Sequence, residues 1–539
     1  MIRSLAILRW NGSKWRRLLV AIVLIAYISA GSIVAVGSGV TVDDPLEQFT
    51  FHKIVHAARG LLTGHIDQYK ELQSYGDRYY GIGFDTFAYP FQLALGDYLA
   101  RASHIDRDAA WQVATRPAIL VLFGVSIVVF YRCLRFFNPQ PSFALAMTGW
   151  YAANPYLFGH AMINVRDSPF MSIYLVCTYL SLKLARLGPD RASKFRRYII
   201  MLAAATAALT SIRIPGLMIL VQYAFTFFLA DACGVTQPAR RLIDWKNAGF
   251  FFAVLIPLVV LSFPAVWLNP LREIGAGLSF VGWYYQSGCT LTWGQCIPAY
   301  ASLQYVLGWF AAKLPLLIMI GIGLIPLAAR KVWKDPFQRT AYLTLIFGTF
   351  YVLIVIIPLR AHLYDETRQL LFLYPLLFLS ALVALYTMAR RIAFAAVCLS
   401  LGLFVWDQIQ LNPYQYVYFN EVSRFFDVDR LFETDYWGIS AREHARQLAP
   451  KVRSLVNPDC FYADPVWLYR PFLASDVCAE PMESLAPPLP AHGFIAAVTC
   501  SPNRSAVPPA CEPISAVTRS LPLSNRTMRL SAAYYCRPK

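Results

Sequence analysis

Charged residues are scarce in this sequence. Asp, Glu, Lys and Arg together make up 15% of the 539 residues, whereas 57% are hydrophobic and the mean hydropathy is +0.46. A soluble domain of this size needs a larger charged surface, so the composition excludes one and indicates a chain that lies largely in lipid. We therefore predict an integral membrane protein.

Several other signals are absent. The 11 cysteines include no CxxC pair, and no His/Cys spacing is typical of a zinc knuckle. There is no internal repeat and no low-complexity segment. The formal charge of +17 is explained in part by basic residues beside apolar stretches, so we do not interpret it as nucleic-acid binding.

Long apolar stretches are abundant. About eleven are long enough to cross the hydrocarbon core of a bilayer. The division between the fifth and the sixth depends on Arg213 and Pro215, which interrupt one long apolar tract. The first stretch has no convincing cleavage site, so we expect a retained helix. The predicted spans are 18–37, 115–134, 142–162, 169–187, 197–212, 214–232, 248–268, 314–330, 340–359, 368–388 and 390–407.

Basic residues predict the orientation. They precede the first stretch and follow the second, fourth, sixth, eighth and tenth, so that every second short loop is positive. This pattern matches the positive-inside bias of membrane proteins. We expect a multi-pass protein of the cytoplasmic (inner) membrane, with its N-terminus in the cytoplasm and everything after the eleventh stretch outside.

The cysteines give a second indication of sidedness. Cys289 and Cys296 lie in one predicted outer loop, and we expect a disulfide between them because the ring would be short and the compartment oxidising. The C-terminal region holds the five further outer cysteines, which cannot all pair within one chain. These are Cys460, Cys478, Cys500, Cys511 and Cys536.

Two regions differ from the apolar stretches. The outer segment 38–114 is amphipathic, with apolar residues at helical spacing in 51–62 and 84–99, which predicts helices in the membrane interface. From about residue 410, polar residues return and short apolar stretches such as 493–498 indicate buried strands. The expected fold is an α-helical polytopic membrane domain, 1–409, followed by a small α/β outer domain, 410–539.

Three ionisable clusters fall on the predicted outer side. Such residues at a membrane boundary are costly unless they are paired or functional. Interfacial caps and ion pairs are the structural alternative for each cluster taken alone. The clusters are Asp43-Asp44 with Glu47, His52 and His56; Asn164 to Pro169; and Arg360 to Arg368.

Six short motifs, three of which overlap these clusters, resemble those of membrane glycosyltransferases of the C-type superfamily, in particular bacterial relatives of dolichyl-phosphate-mannose protein mannosyltransferases and aminoarabinose transferases. The resemblance covers residues 15–445, and the order and spacing of its short motifs are its most specific feature. The motifs are Asp43-Asp44-Pro45; Tyr79-Tyr80-Gly81 with Phe84-Asp85; Asn154-Pro155 through His160 to Phe170; His362 to Arg368 leading to Pro375; Asn412 to Asn420; and Thr434 to Gly438.

The resemblance implies the transfer of one sugar from a polyprenyl-phosphate donor to an acceptor on the outer face. In this family an acidic residue of the first outer loop is the general base, which here is Asp43. The family more often has Asp-Glu at this point, so that Asp44 leaves open which carboxylate acts. Asp167 matches the second outer acidic position, where members of the family position the acceptor or bind a metal.

Cationic groups would stabilise the charge on the leaving phosphate. The candidates are Arg166, Arg360, His362 and Arg368, because arginine suits bidentate contact with phosphate. Acceptor contacts or ligands for a divalent metal could come from His52, His56 and Asp85, although nothing in their spacing demands a metal.

Two other classes of protein stay as alternatives. A transporter would carry ionisable residues near the middle of its spans and tend to show repeated halves. A non-catalytic envelope assembly protein would explain the C-terminal region but not Asp43-Asp44 or the segment 360–368. For the enzyme, the expected partners are the polyprenyl-phosphate sugar, membrane lipid, and a glycan, lipid or protein acceptor, and none is a nucleic acid.

Overall fold

The computed structural model describes residues 12–103, 105–187, 192–235, 244–283, 288–332, 334–456, 460–474, 476–485, 493–499 and 511–537.

The first described segment is a long apolar helix followed by four shorter helices. They are α1 (Gly12–Gly37), α2 (Asp44–Leu62), α3 (Ile66–Ser74), α4 (Gly83–Ser103) and α5 (Arg107–Val113). Pro45 lies in the first turn of α2, where its missing N–H leaves no helical hydrogen bond unmade. The predicted amphipathic stretches 51–62 and 84–99 lie in α2 and α4, and each helix buries one side.

The next seven helices hold a large part of the buried apolar core, except for α12, in which only Leu255 is buried. They are α6 (Arg116–Leu134), α7 (Pro141–Ala153), α8 (Pro155–Ile163), α9 (Asp167–Leu187), α10 (Ala192–Ile212), α11 (Ile219–Ala232) and α12 (Trp245–Ser262). The predicted division at Arg213 is confirmed, because α10 ends at Ile212 and Arg213 is extended (φ −149°, ψ 131°). Pro215 follows in a short 3-10 turn before α11.

A hairpin and a second group of helices come next. They are α13 (Pro270–Trp283), β1 (Cys289–Thr292), β2 (Gln295–Pro298), α14 (Leu303–Lys313), α15 (Leu316–Gly323), α16 (Ile325–Val332), α17 (Pro336–Ile356) and α18 (Tyr374–Gln410). Strands β1 and β2 pair antiparallel. The two residues between them, Trp293 and Gly294, both have positive φ, as a tight hairpin turn requires.

Eight helices in the described residues are long and apolar enough to cross a membrane, fewer than the predicted stretches. The difference has local causes. Stretch 142–162 is broken at Asn154, whose side chain caps α8 by accepting a hydrogen bond from the Leu157 amide (3.0 Å). Stretch 314–330 is divided between α15 and α16 at Leu324. Stretches 368–388 and 390–407 count as one because they follow each other without a loop in α18, but the non-helical backbone of Ala389 (φ −148°, ψ 65°) separates two helices there, as predicted.

Two of these helices lie at the periphery of the bundle. Over their most apolar windows, only 11% of α1 and 6% of α12 is buried inside the protein. Their outward residues are large and apolar, among them Ile33 and Leu261. Exposed apolar flanks of this length belong in lipid, which makes the chain a polytopic helical membrane protein.

The C-terminal region forms a small α/β unit. Its elements are α19 (Val428–Leu431), α20 (Ala441–Leu455), β3 (Cys460–Asp464), β4 (Cys478–Pro481), β5 (Phe494–Val498), β6 (Cys511–Ser520) and β7 (Thr527–Cys536). The described strands form one mixed sheet in the order β4-β3-β5-β7-β6, and the predicted buried strand at 493–498 is confirmed as β5. Leu448 of α20 packs with Phe461 and Ile495 of the sheet, and Val40 and Ala109 share this core. The domain boundary at 409/410 stays a prediction, although α18 ends beside it.

Three disulfides lie in the regions predicted to be outside. Cys289 and Cys296 are bonded across the hairpin, with Cα atoms 5.2 Å apart. In the C-terminal unit, Cys460 is bonded to Cys478 and Cys511 to Cys536. Cys500, the remaining cysteine of this region, lies outside the described residues.

Candidate active site

A polar cavity of ≈ 400 Å³ lies where connections of the helix bundle that are predicted to be outside meet. Its wall combines the start of α2, the turn before α4, the α8–α9 turn, Arg213, the segment before α18 and a part of the C-terminal region. The lining residues are Thr41, Val42, Asp43, Leu46, Glu47, Thr50, Asp77, Tyr80, Ile163, Asn164, Val165, Arg166, Arg213, Tyr364, Asp365, Arg368, Tyr436 and Trp437. Members of all three predicted clusters therefore meet in one place.

Asp43 lies at the centre of this wall. Its Oδ2 accepts hydrogen bonds from Arg368 Nη1 (2.7 Å) and Trp437 Nε1 (3.1 Å). Its Oδ1 accepts none from the described residues, and 40% of the side chain is exposed to the cavity. Burial raises the pKa of Asp43, but Arg368 and Trp437 outweigh that effect and hold it below its ordinary value. Asp43 is thus an ionised carboxylate with one oxygen open to a ligand.

Arg368 is held in place by charge and by aromatic rings. Its Nη2 donates to Asp365 Oδ2 (2.9 Å), so the guanidinium bridges Asp43 and Asp365. The rings of Tyr364 and Trp437 lie 4.9 and 5.2 Å from its central carbon. Burial raises the pKa of Asp365 to about 7 despite Arg368, and the Glu433 and Asp43 carboxylates act in the same direction.

A buried ion pair holds the turn that precedes Arg368 in place. Asp365 and Glu366 both have left-handed backbone (φ 54° and 67°), a conformation that costs non-glycine residues energy. Glu366 is fully buried, and its Oε1 lies 2.7 Å from Nζ of Lys313, which is also fully buried. The Lys313 ammonium lies 4.0 Å from the ring centre of Phe419. This pair fixes the turn against the end of α14.

Asp44 points away from the cavity lining. Its Oδ2 accepts from the Thr41 amide (2.8 Å) and from Arg116 Nη2 (3.3 Å), and only 5% of its side chain is exposed. Burial raises the pKa of Asp44 even though Arg116 lies beside it. In the acidic pair it is therefore Asp43 that faces the cavity, and Asp44 closes the turn between α1 and α2.

Arg213 is the second arginine of the wall, and the α8–α9 turn holds it in place. Asn164 Oδ1 accepts from the backbone amides of Arg166 (3.1 Å) and Asp167 (2.7 Å), which closes the turn. Asp167 is buried at the start of α9, and its Oδ1 lies 2.9 Å from Arg213 Nη2. Asp167 thus stands behind Arg213 and orients it toward the cavity.

Arg166 is the third cation of the wall. It forms an ion pair with Glu47, lies 3.5 Å from Asp85 Oδ2, and donates to the carbonyl of Gly81. Burial raises the pKa of Glu47 to about 7 against the opposing effect of Arg166. Burial likewise raises the pKa of Asp85. Arg166 therefore neutralises two acidic residues and ties α2 and α4 to the α8–α9 turn.

An apolar groove of ≈ 250 Å³ adjoins the polar cavity. The two spaces share Tyr80, Arg213 and Tyr364 in their linings. The rest of the groove is mostly apolar, with members from the ends of α9, α10 and α17, such as Phe170 and Ile356. A charged head in the cavity could therefore be continuous with an apolar chain in the groove.

The other predicted site residues lie outside the polar cavity. His362 lines the apolar groove, and its Nδ1 lies 3.1 Å from the Ala299 carbonyl. Arg360 is exposed and lies over the Tyr300 ring. His52 and His56 are exposed on α2. In the described residues, no group of three or more His, Cys, Asp or Glu side chains is arranged to hold a metal ion.

Sequence reasoning missed three residues of the site. Arg213 was used only to divide two spans, although an arginine that interrupts an apolar tract is itself a signal for a functional charge. Trp437 and Tyr364 stood in the motifs that carry the resemblance, but nothing in their spacing predicts that their rings flank Arg368.

Two solved structures are similar to this chain along nearly its whole length. The crystal structure of ArnT from Cupriavidus metallidurans bound to undecaprenyl phosphate has 13% sequence identity and a TM-score of 0.46, and the match covers 95% of this chain and 97% of that one. The crystal structure of the same protein in the apo state gives the same identity and TM-score, with 97% and 98% covered. No protein-family profile and no curated protein matches the chain. At this level of similarity we transfer no residue role from either structure.

Proposed function

We propose that this protein transfers a single sugar from a polyprenyl-phosphate donor to a glycan, lipid or protein acceptor of the cell envelope, on the outer face of the inner membrane. The observation that carries the proposal is the polar cavity with three arginines in its wall, next to an apolar groove that shares Tyr80, Arg213 and Tyr364 with it. A polyprenyl-phosphate sugar has this same division, with an anionic head and a long apolar chain.

Asp43 is the general base of the proposed reaction. The acceptor hydroxyl attacks the anomeric carbon of the donor while its proton passes to Asp43 Oδ1, the oxygen that accepts no hydrogen bond from the described residues. The bond between the anomeric carbon and the phosphate oxygen breaks, and its electron pair leaves with the polyprenyl phosphate. Because Asp43 is ionised at neutral pH, it is ready to take the proton.

Arg368 and Arg213 are the proposed phosphate ligands. Both line the cavity, and Arg213 also lines the mouth of the apolar groove, where the phosphate would join the lipid chain. Fixed guanidinium groups stabilise the charge that develops on the leaving phosphate. Arg166 acts less directly, since Glu47 and Asp85 already engage it.

Arg368 can donate hydrogen bonds either to Asp43 or to the phosphate of the sugar donor. This competition gives the proposed reaction an order. In the resting protein Arg368 is bound to Asp43, which lowers the basicity of that carboxylate. A donor phosphate that draws Arg368 toward itself weakens this contact and raises the basicity of Asp43. The base thus becomes effective when the donor is in place.

Transfer of radiolabelled sugar from polyprenyl phosphate to acceptors in membrane extracts tests the proposal. We expect Asp43→Asn to lower turnover by about 10² to 10⁴, the usual loss for a positioned base, with donor binding retained. Asp67→Asn is the matched control, because Asp67 lies on α3 with a side chain that is 95% exposed. Near-normal turnover of folded Asp43→Asn protein would refute the assignment of the base. A wild-type protein that moves no sugar from any polyprenyl-phosphate donor would refute the function itself.

A further inference from the structure

A second polar cleft, separate from the candidate active site, lies at the end of α1. It has a volume of ≈ 280 Å³. One wall is the end of α1 and the turn after it, and the other is the first two turns of α20. The lining residues are Gly37, Ser38, Gly39, Tyr414, Arg442, Glu443, Arg446 and Gln447.

Arg442 is a buried cation without a carboxylate partner. Only 7% of the residue is exposed, and Nη1 donates to the carbonyls of Val36 (3.1 Å) and Ser38 (2.9 Å) at the end of α1. Among the described residues, Nε and Nη2 have no hydrogen-bond acceptor, and no carboxylate lies within ion-pair distance. Nε is buried, whereas Nη2 is not and can reach the cleft. The Phe472 ring lies 5.2 Å from the central carbon of Arg442 and offsets part of this charge, but a buried charge without a neighbouring anion is still costly.

The other charges of the cleft leave it positive. Arg446 is exposed at the opening. The single carboxylate of the lining, Glu443, is occupied, since its Oε2 accepts from Arg519 Nη2 (2.6 Å) and from the Tyr414 hydroxyl (2.8 Å). Burial lowers the pKa of Arg442 to about 10, and the charges of Arg446 and Arg116 act in the same direction. Within the described part of the chain, the two arginines of the lining therefore have no local counter-ion.

The position of the cleft indicates what its anion is. The apolar span Leu18–Gly37 ends at the cleft, so the cleft lies at the level of lipid head groups. The flank of α1 below it is exposed and apolar, with Ile33 76% exposed, and would contact acyl chains. Arginine forms strong charge-assisted hydrogen bonds with phosphate. We propose that this cleft binds the phosphate group of a membrane lipid, with Arg442 and Arg446 as its ligands.

Equilibrium binding of radiolabelled phosphatidic acid to the full chain in detergent tests this site, with diacylglycerol of the same acyl chains as the reference. We expect Arg446→Gln to weaken the binding of phosphatidic acid by roughly two- to fivefold, as for an exposed charge pair, and to leave diacylglycerol unaffected. Arg453→Gln is the matched control, because Arg453 lies on the same helix outside the cleft.

A second variant keeps the charge and fills the space. Gly37 lines the cleft and is exposed, and a Cβ added there meets nothing within 4 Å, so Gly37→Leu adds apolar bulk at the cleft lining without a clash at Cβ. We expect it to weaken the binding of phosphatidic acid as well. Arg442 is left intact in both variants because it also caps α1.

Each outcome decides one part of the proposal. Equal effects of Arg446→Gln and Arg453→Gln, or no effect of Gly37→Leu, would overturn the site. Displacement of phosphatidic acid by inorganic phosphate at similar concentration would overturn the lipid as its source. Phosphatidic acid could also enter the candidate active site, but Arg368→Ala would remove that component alone, so that failure of the proposed function is distinguishable from failure of this one.

Discussion

Arg368 and Asp43 form an ion pair with an N–O distance of 2.7 Å, although 325 positions separate them in the chain. The pair joins the turn after α1 to the segment before α18. The residue proposed to bind the donor phosphate is thus already bound to the residue proposed to take the acceptor proton. Replacement of either residue therefore changes the properties of the other.

The first prediction concerns Arg368→Ala. We expect weaker donor binding, by roughly 1.5 to 3 kcal/mol for the loss of a hydrogen bond to a charged group. Since Arg368 lowers the pKa of Asp43 against the effect of burial, its loss should raise that pKa. The acid limb of the turnover profile should then move to higher pH. Steady-state kinetics across pH measure both effects, and a variant with altered donor affinity but an unmoved acid limb would show that Asp43 is not the titrating base.

The second prediction concerns orientation. Asp43 and Trp437 line the same cavity, so the segments before and after the helix bundle must reach the same side of the membrane. A reporter that is active only outside the cytoplasm should work when fused after Leu46 and after Lys539. A fusion after Lys334, in a predicted cytoplasmic loop, should be silent. Activity at Leu46 with silence at Lys539 would contradict a shared outer cavity.

The apolar stretches of the sequence, and the residues that end helices, predicted much of the helical part of this fold. The stretches 18–37 and 340–359 became helices because their apolar runs are long enough for lipid, and Arg213 with Pro215 ended one helix as expected. Whether a stretch is continuous depends on single residues that a hydropathy average does not register. The Asn154 cap breaks one stretch that was expected to be continuous, whereas the non-helical backbone of Ala389 divides two others where the sequence predicts it.

The site was less predictable because it depends on rotation and on turns. Adjacent residues at a helix start point in different directions, and only tertiary packing with Arg116 decided that Asp44 turns inward while Asp43 faces the cavity. Arg360 and Arg368 lie close in sequence, but Arg368 lines the cavity whereas Arg360 is exposed over the Tyr300 ring. The left-handed residues between them reverse the backbone, and their positions could not be inferred from composition.

The third prediction concerns the buried pair of Lys313 and Glu366. Burial raises the pKa of Glu366, whereas the charge and the hydrogen bond of Lys313 oppose this effect, so the pair forms against a large cost of desolvation. Removal of one partner of a buried pair costs about 3 to 5 kcal/mol, so Lys313→Met should lower the thermal midpoint of the purified protein markedly. Lys313→Met with Glu366→Gln should recover part of the loss, because no lone charge is left.

Lys70→Met is the matched control for this comparison. Lys70 pairs with Asp67 on an exposed surface, with 72% and 95% of the two side chains exposed. Exposed pairs contribute about 0 to 1 kcal/mol, so the midpoint should hardly change. A midpoint for Lys313→Met equal to that of Lys70→Met would mean that the pair does not anchor the turn before Arg368.

The fourth prediction concerns Asp365 and the pH dependence of donor binding. The pKa of Asp365 is about 7, so its carboxyl is neutral below that pH and ionised above it. The ionised form competes with the donor phosphate for Arg368, from which it lies 2.9 Å. Donor binding should therefore strengthen as pH falls through about 7 and weaken as pH rises, by about three- to tenfold for the loss or gain of one nearby charge.

Asp365→Asn should bind the donor as tightly as the protonated wild type at every pH near neutrality. Apparent donor affinity measured across neutral pH tests this, with Asp67→Asn expected to follow the wild-type curve because Asp67 is exposed and does not line the cavity. If the wild type and Asp365→Asn show the same pH dependence, the titrating group is another residue, and Glu47, whose pKa is also about 7, is the next to replace.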